Sequence, residues 1–562
     1  MTSAGGLLLV ASVLVPFVGM MLALLLGGRS ARLVAALVVV AGFGIALAVV
    51  QAVAVGPQTY LLGGWAPPLG VALRADELSA GMMAVVAIVI VGITLYAWRD
   101  FAMAEGEEQR APLMFWLLLM AVWGSLNLIF VSGDLFTLYV GLELLTFAGV
   151  PLVCLDGKGE TLRAALRYLL FALMGSLLYL LGAMLAYGAF GTLDIPLVAA
   201  AAEPGLLSFV MLALMTVGLL AKTALFPLHI WLPPAHAGAP PAASAVLSAL
   251  VVKGSWFLVV RLWFDAFPRV ATVDAAQLLG GLGAAAIVVG SIVALCQRRL
   301  KLLVAYSTIA QIGYLFLMFP LGVGAGGDVL TAGVLQAAAH ATAKAGMFMA
   351  AGLLYAGLGH DRIADLGGAA RALPVTVLAF GVAGLALMGV LPSGAYVAKK
   401  LLLGAADGSG QWWWTVVLQG GAAFTAGYVV LVLGSALRRP DAPLVLVKPV
   451  SRLAEFAALA LALASLLLGL AALDPRLPTG LISNPLALKE LGPTLLVVAG
   501  GIVLALGLAR RPPFGDADAA WRRPVRALGT GFEMADNVLR RWPVAALSVV
   551  ALVAAFGGLL KL

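Results

Sequence analysis

A chain of 562 residues that is 63% hydrophobic and only 11% charged is not an ordinary soluble domain, in which roughly a quarter of the residues are charged. Its two cysteines, Cys154 and Cys296, are too few for a disulfide framework or an iron–sulfur cluster. No GxGxxG after a strand, no Walker A loop and no HExxH run is present, so no cofactor and no metal site is expected, and the net charge of +8 is expected to reflect membrane topology, with no nucleic-acid partner.

Apolar stretches of about 20 residues recur from end to end, the length needed to cross a bilayer core of ~30 Å. A spanning segment must satisfy its backbone internally, so these are helices. In chain order they lie near 5–27, 32–55, 77–98, 112–131, 134–155, 164–189, 206–231, 243–264, 277–296, 302–321, 329–357, 374–403, 412–437, 453–473, 493–510 and 543–560. The fold expected is all-α, a polytopic transmembrane helix bundle of 14–16 spans. The 66 glycines suit close helix packing in lipid. The first span has no basic segment before it and no small-residue cleavage site after it, so a retained helix is expected in place of a signal peptide.

With the N-terminus placed outside and the spans alternating, 22 basic residues fall in inside loops and five outside: Arg74, Arg269, Arg476, Lys489 and Lys561. That bias puts both termini outside a bacterial-type cytoplasmic membrane. Of 34 basic residues, 34 − 27 leaves seven in or beside spans: Arg167, Lys222, Lys253, Arg261, Lys344, Lys399 and Lys400. Arg167 and Arg261 lie near helix ends and are expected to reach the headgroups.

Proline interrupts two spans. GLLAKTALFPLHIWLPPAHAGAPP contains Pro227, and GLALMGVLPSGAYVAKKLLL contains Pro392. Proline removes a backbone hydrogen bond and clashes with the preceding turn, which lipid tolerates only where protein or a water-filled cavity satisfies the freed groups. Each broken span carries a lysine, Lys222 or Lys399, and the two are the seventh and the twelfth. An offset of five predicts two inverted five-helix repeats, spans 4–8 and 9–13. The expected organisation is an N-terminal three-helix segment (1–111), a first repeat (112–270), a second repeat (271–440) and C-terminal helices (441–562). Within the last, 512–541 reads equally as a short amphipathic surface helix or a basic loop.

Charges inside a bilayer are expensive, ~2.5 kcal/mol or more, and mark ion or proton routes. Glu143 lies mid-span in GDLFTLYVGLELLTFAGV, with Lys222 as its natural partner. Lys253 lies about ten residues into its span with no acid within a turn. His340 and Lys344 are four apart and share a helix face. Lys399 follows the second break by seven residues, and the adjacent Lys400 points elsewhere. His229 and His236 flank WLPP after the first break, where they either join an entry path or hold the broken helix. Ser244, Ser248 and Thr342 supply hydroxyls for waters along these helices.

These residues and their order resemble the antiporter-like subunits of respiratory complex I, of Mrp-type sodium/proton antiporters and of energy-converting hydrogenases. The resemblance runs over roughly 110–440, in KTALFPLHIWLPPAHAGAPPAASAVLSALVVK, RRLKLLVAYSTIAQIGY, HATAKAGMF and LPSGAYVAKKLLL. PSGAYVAK and GQWWW look closest to the D-type Mrp and hydrogenase-type subunits. The resemblance implies a pair between Glu143 and Lys222, a relay lysine at Lys253, a central basic residue at His340 or Lys344 and a terminal one at Lys399. Two extra C-terminal spans, and a charged stretch too short for the long lateral helix of the largest members, depart from the family pattern.

The expected function is proton translocation as one subunit of a multisubunit membrane complex, by two half-channels joined along a Glu/Lys/His axis. No catalysis by the chain alone is expected. Driving force would come from a redox partner such as a quinone oxidoreductase or hydrogenase, or from an opposing ion gradient. The alternatives are a Na+/H+ antiporter subunit of Mrp type using the same axis, and a non-conducting membrane anchor. A membrane glycosyltransferase fits poorly, because it needs acidic or metal-ligand clusters that the sequence lacks.

Overall fold

A computed structural model describes residues 3, 5–103, 109–323, 328–439, 444–473, 488–511 and 519–561. Among the described residues, fourteen helices are long and apolar enough to cross a membrane, from Gly6–Leu26 to Trp542–Lys561, and Pro374–Leu387 and Gly492–Leu508 are shorter apolar helices. The polytopic helical bundle expected from the hydropathy is therefore observed. Among the described residues the only sheet is a hairpin that hydropathy did not indicate, with Gln58–Leu61 antiparallel to Ala72–Ala75 and Gln58 opposite Ala75. Arg476 lies outside the described residues, as does the side chain of Lys489.

Two compact units partition the chain. The first comprises Met1–Ala224, Gly238–Leu278 and Ala545–Leu562, and the second Leu225–Ala237 and Leu279–Val544. In the first unit, residues 242–260 are buried throughout, whereas Ser30–Val55 exposes Leu33, Leu37 and Val40, the surface a lipid-facing helix presents. Leu206–Thr223 packs on Gly159–Phe190, and a side chain at Gly175 or Gly218 would collide with the other's carbonyl oxygen. These positions must be small for the backbones to meet, as membrane helix contacts require.

The second unit uses the same device. Val273–Cys296 meets Leu300–Phe316 at Gly283 and Gly313, each against the other's carbonyl oxygen. Asp328–Leu358 packs against Pro374–Leu387, Gly394–Gly408 and Arg452–Leu467. The charged stretch near the C-terminus resolves in favour of a helix, Arg522–Leu539.

Both proline breaks fall where the sequence places them. Leu206–Thr223 stops before Pro227, with Ala224 in a left-handed conformation at φ 59°. The twelfth span is two helices, Pro374–Leu387 and Gly394–Gly408, separated by Gly389 (φ 64°) and Pro392. Ser393 caps the second of these by accepting from the Tyr396 N–H at 3.2 Å.

Candidate functional site

In the first unit, Lys222 occupies the last turn of its helix, just ahead of the break. Carbonyl groups freed at a helix C-terminus favour a cation there. Its Nζ lies 3.1 Å from Glu143 Oε1 and donates to Thr146 Oγ1 (2.8 Å) and Ser176 Oγ (2.5 Å). The lysine side chain is 6% exposed and the glutamate 14%, so the expected partners meet as a nearly desolvated, hydrogen-bonded pair. Leu135–Val153 carries Glu143 and Thr146, and Gly159–Phe190 carries Ser176.

Lys253 is 1% exposed. The helix that carries it opens into a π-helical turn over Leu247–Val251 before resuming at Val252–Arg261. Its Nζ folds back across that turn to donate to the Ser248 carbonyl at 2.7 Å. Single π-turns frequently mark functional positions, because the wider turn offers carbonyls to side chains. The Thr223 hydroxyl donates to Ser255 Oγ at 2.9 Å and ties the helix of Lys222 to that of Lys253.

In the second unit, His340 and Lys344 are both fully buried on Asp328–Leu358. Lys344 Nζ donates to Ser307 Oγ (2.5 Å) and to the Val304 carbonyl (3.2 Å). Further along Leu300–Phe316, the Gln311 amide donates to Thr425 Oγ1 (3.1 Å), the Tyr428 hydroxyl (3.2 Å) and the Leu387 carbonyl (3.4 Å). Lys399 lines an open cavity with Gly389, Tyr396, Lys400, Gln419 and Thr494. The Lys400 ammonium sits 5.6 Å from the centre of the Tyr396 ring.

The segment after the first break belongs to the second unit, so His229 and His236 sit there. His229 Nε2 lies 2.7 Å from Asp536 Oδ1. The His236 ring stacks on Phe348 at 4.6 Å, and the charges of Lys301 and Lys344 act on it through space.

Sequence reasoning missed several of these partners. Ser307 and Gln311 carry a legible signal, two polar residues four apart on one face of a helix that also holds Lys301 and Thr308. Asp536 gave none, because it sits 307 residues from His229 in a charged stretch. Arg261, expected to reach the headgroups, instead pairs with Asp76 and Asp265 at 2.6 and 2.7 Å and also donates to Ser79. A carboxylate brought in from a distant turn solvates the guanidinium better than a headgroup would at that depth. Of the hydroxyls expected to hold waters, Thr342 donates to its own helix at Ala338 O (2.9 Å), while Ser248 contributes its carbonyl to Lys253.

Fold and site together define a multi-pass helical membrane protein with buried ionisable side chains held by hydroxyls, carbonyls and carboxylates. The family described as NADH:quinone oxidoreductase/Mrp antiporter, TM, matches residues 132–425. The chain is 34% identical over 415 residues to NADH-quinone oxidoreductase subunit N of Desulforudis audaxviator, covering 73% of this chain and 81% of that protein. It is 30% identical over 353 residues to a Na(+)/H(+) antiporter subunit of Bacillus subtilis, covering 61% and 69%. Its fold is similar to a chain of the Mrp complex from Dietzia sp. (TM-score 0.72, 22% identity, 92% and 99% covered). It is similar too to one of an archaeal membrane-bound sulfane sulfur reductase (TM-score 0.74, 23% identity, 88% and 99% covered). The chain belongs to the NADH:quinone oxidoreductase/Mrp antiporter membrane family.

Proposed function

We propose that the chain moves protons across the membrane as one subunit of a larger membrane complex. The observation that carries this reading is the burial of Lys222, Lys253 and Lys344 in apolar helices, each against oxygen atoms that can solvate an ammonium. An ammonium so placed is costly, and a fixed structural role would be met more cheaply by an apolar residue. In this reading Glu143, Lys222 and Lys253 serve the first half-channel, and His340, Lys344 and Lys399 the second. Spans 4–8 and 9–13 are inverted repeats, with the half-channels in 112–270 and 271–440. The chain lies in the cytoplasmic membrane with both termini outside and catalyses no reaction alone.

Lys253→Ala and Lys344→Ala in the intact complex, reconstituted into vesicles and checked for assembly, test this. The expected outcome is a loss of proton translocation of about ten-fold or more in each, on the scale of removing an acid–base group. Native rates from assembled variants would instead make the chain a membrane anchor. A second reading, Na+/H+ exchange through the same residues, is favoured by the relative whose name states Na(+)/H(+) antiport. It predicts that an imposed sodium gradient drives proton movement in the same vesicles.

A further inference from the structure

The Arg522–Leu539 helix is mostly exposed, yet it buries three residues spaced by seven: Arg522, Gly529 and Asp536. That spacing puts them on one stripe of the helix. Arg522 donates to the Leu506 and Ala509 carbonyls at the end of Leu488–Leu508. Gly529 lies against Cys296, where a side chain would meet the sulfur. Two of the three contacts hold the helix down. The third puts an acid beside a histidine.

Asp536 is 2% exposed and takes partners from three segments. His229 Nε2 lies 2.7 Å from Oδ1, the Tyr306 hydroxyl donates to Oδ2 at 2.7 Å, and Arg540 Nε donates to Oδ2 at 2.8 Å. A cavity borders this carboxylate, lined also by Pro233, Pro234, Tyr306, Glu533, Asn537 and Arg540. His229 is 1% exposed, and its Nδ1, the nitrogen turned away from Asp536, has no hydrogen-bond partner among the described residues. The imidazole thus has one nitrogen on the carboxylate and the other facing the interior. His236 follows seven residues later in the same segment, within the field of Lys344. The charged or titratable groups around Asp536 are His229 from the break segment, Tyr306 from Leu300–Phe316, and Arg540 and Glu533 from its own stretch.

We propose that Asp536 is the proton-loading group at the mouth of the second unit, passing protons between the cavity and His229. This rests on the proton-conducting reading above and adds to it an acid and an element that no part of the resemblance includes. The step balances. A hydronium in the cavity gives its proton to the Asp536 carboxylate and remains as water, the proton moves from Oδ1 to His229 Nε2, and the proton on Nδ1 passes to a water on the interior side. The imidazole gains one proton and loses one, the carboxylate returns to its charged form, and the imidazole ends as its Nε2–H tautomer. Tyr306 and Arg540 hold Oδ2, so Oδ1 is the oxygen left to exchange. They act as positioning residues.

The test compares Asp536→Asn, Asp536→Glu and Lys344→Ala in the reconstituted complex, with assembly checked and proton translocation followed across pH. Asparagine keeps the size of the side chain and one acceptor oxygen for Tyr306 and Arg540, but it replaces the other oxygen with an NH2 donor and carries no exchangeable acid. The expected result is a fall of about ten-fold or more for Asp536→Asn, and near-native rates with a displaced pH profile for Asp536→Glu. Native rates from Asp536→Asn would reduce the cluster to a clip for the helix and overturn the proposal. If that variant does not assemble, an undisplaced profile from Asp536→Glu overturns it instead. The two readings fail separately, because Lys344→Ala inactive beside Asp536→Asn fully active rejects only this inference, whereas both at native rate rejects proton conduction as well.

Discussion

Each buried lysine has a different solution to the same solvation problem. Lys222 has a carboxylate and two hydroxyls, Lys253 a backbone carbonyl in a π-turn, and Lys344 a hydroxyl and a carbonyl. The first is an ion pair, which gives Lys222 a counter-charge to move against. Arg261 shows the contrasting, structural use of charge. Burial pushes the Asp76 carboxyl up, but hydrogen bonds and charge from Arg261 and a bond from Ser79 more than offset this, leaving it below its usual range. A depressed carboxyl contributes stability above its unfolded value near 3.9 and loses it as pH falls through the folded value. The native complex should therefore lose thermal stability below about pH 4 by a step that Asp76→Asn lacks. At neutral pH the same substitution should cost about 1 kcal/mol or less, since Asp76 is partly exposed. Thermal unfolding of both forms at neutral and acid pH measures this, and parallel acid-side losses in the two would refute it.

Helices in this protein meet where side chains are missing. Gly218 faces the Gly175 carbonyl in the contact that sets Lys222 beside Ser176. A larger residue there must push Leu206–Thr223 away from Gly159–Phe190. Overpacking of this kind costs about 1–3 kcal/mol, and here it also stretches the hydrogen bond to the lysine. Gly218→Val should lower the melting temperature of the complex and reduce translocation together, whereas Gly281→Val, where a side chain meets open space, should do neither. Equal melting temperatures for the two would show that close approach at Gly218 is not required. The proline breaks work differently. They end helices inside the apolar interior, with Lys222 just before the first break and the buried His229 and His236 just after it.

At the scale of the whole molecule the question is whether the two sets of ionisable groups act together. Each unit holds its own lysines and hydroxyls. One joined axis predicts that Lys253→Ala and Lys344→Ala each abolish transport and that the double variant is no worse than either, since residues acting as a unit are strongly non-additive. Independent paths would instead leave about half of the transport in each single variant and none in the double. Initial rates of vesicle acidification in the three variants distinguish these outcomes.

The sequence by itself determined that this is a polytopic helical membrane protein. Hydrocarbon leaves an unpaired backbone no alternative to a helix, so apolar runs of spanning length must be helical. It also picked out Glu143, Lys222, Lys253, His340, Lys344 and Lys399, because a charge in an apolar run stands out without any knowledge of its neighbours. The breaks at Pro227 and Pro392 were legible for the same local reason. What the sequence left open was the set of partners. Ser176 for Lys222, Ser307 for Lys344, Asp76 for Arg261 and Asp536 for His229 lie 46, 37, 185 and 307 residues away. No periodicity reports such pairings, since they arise only when helices pack side by side. The choice between helix and loop for 522–539, and the membership of 225–237 in the second unit, were likewise decided by tertiary contacts. Cost in the bilayer marks a residue locally, while solvation of that residue is supplied from elsewhere in the fold.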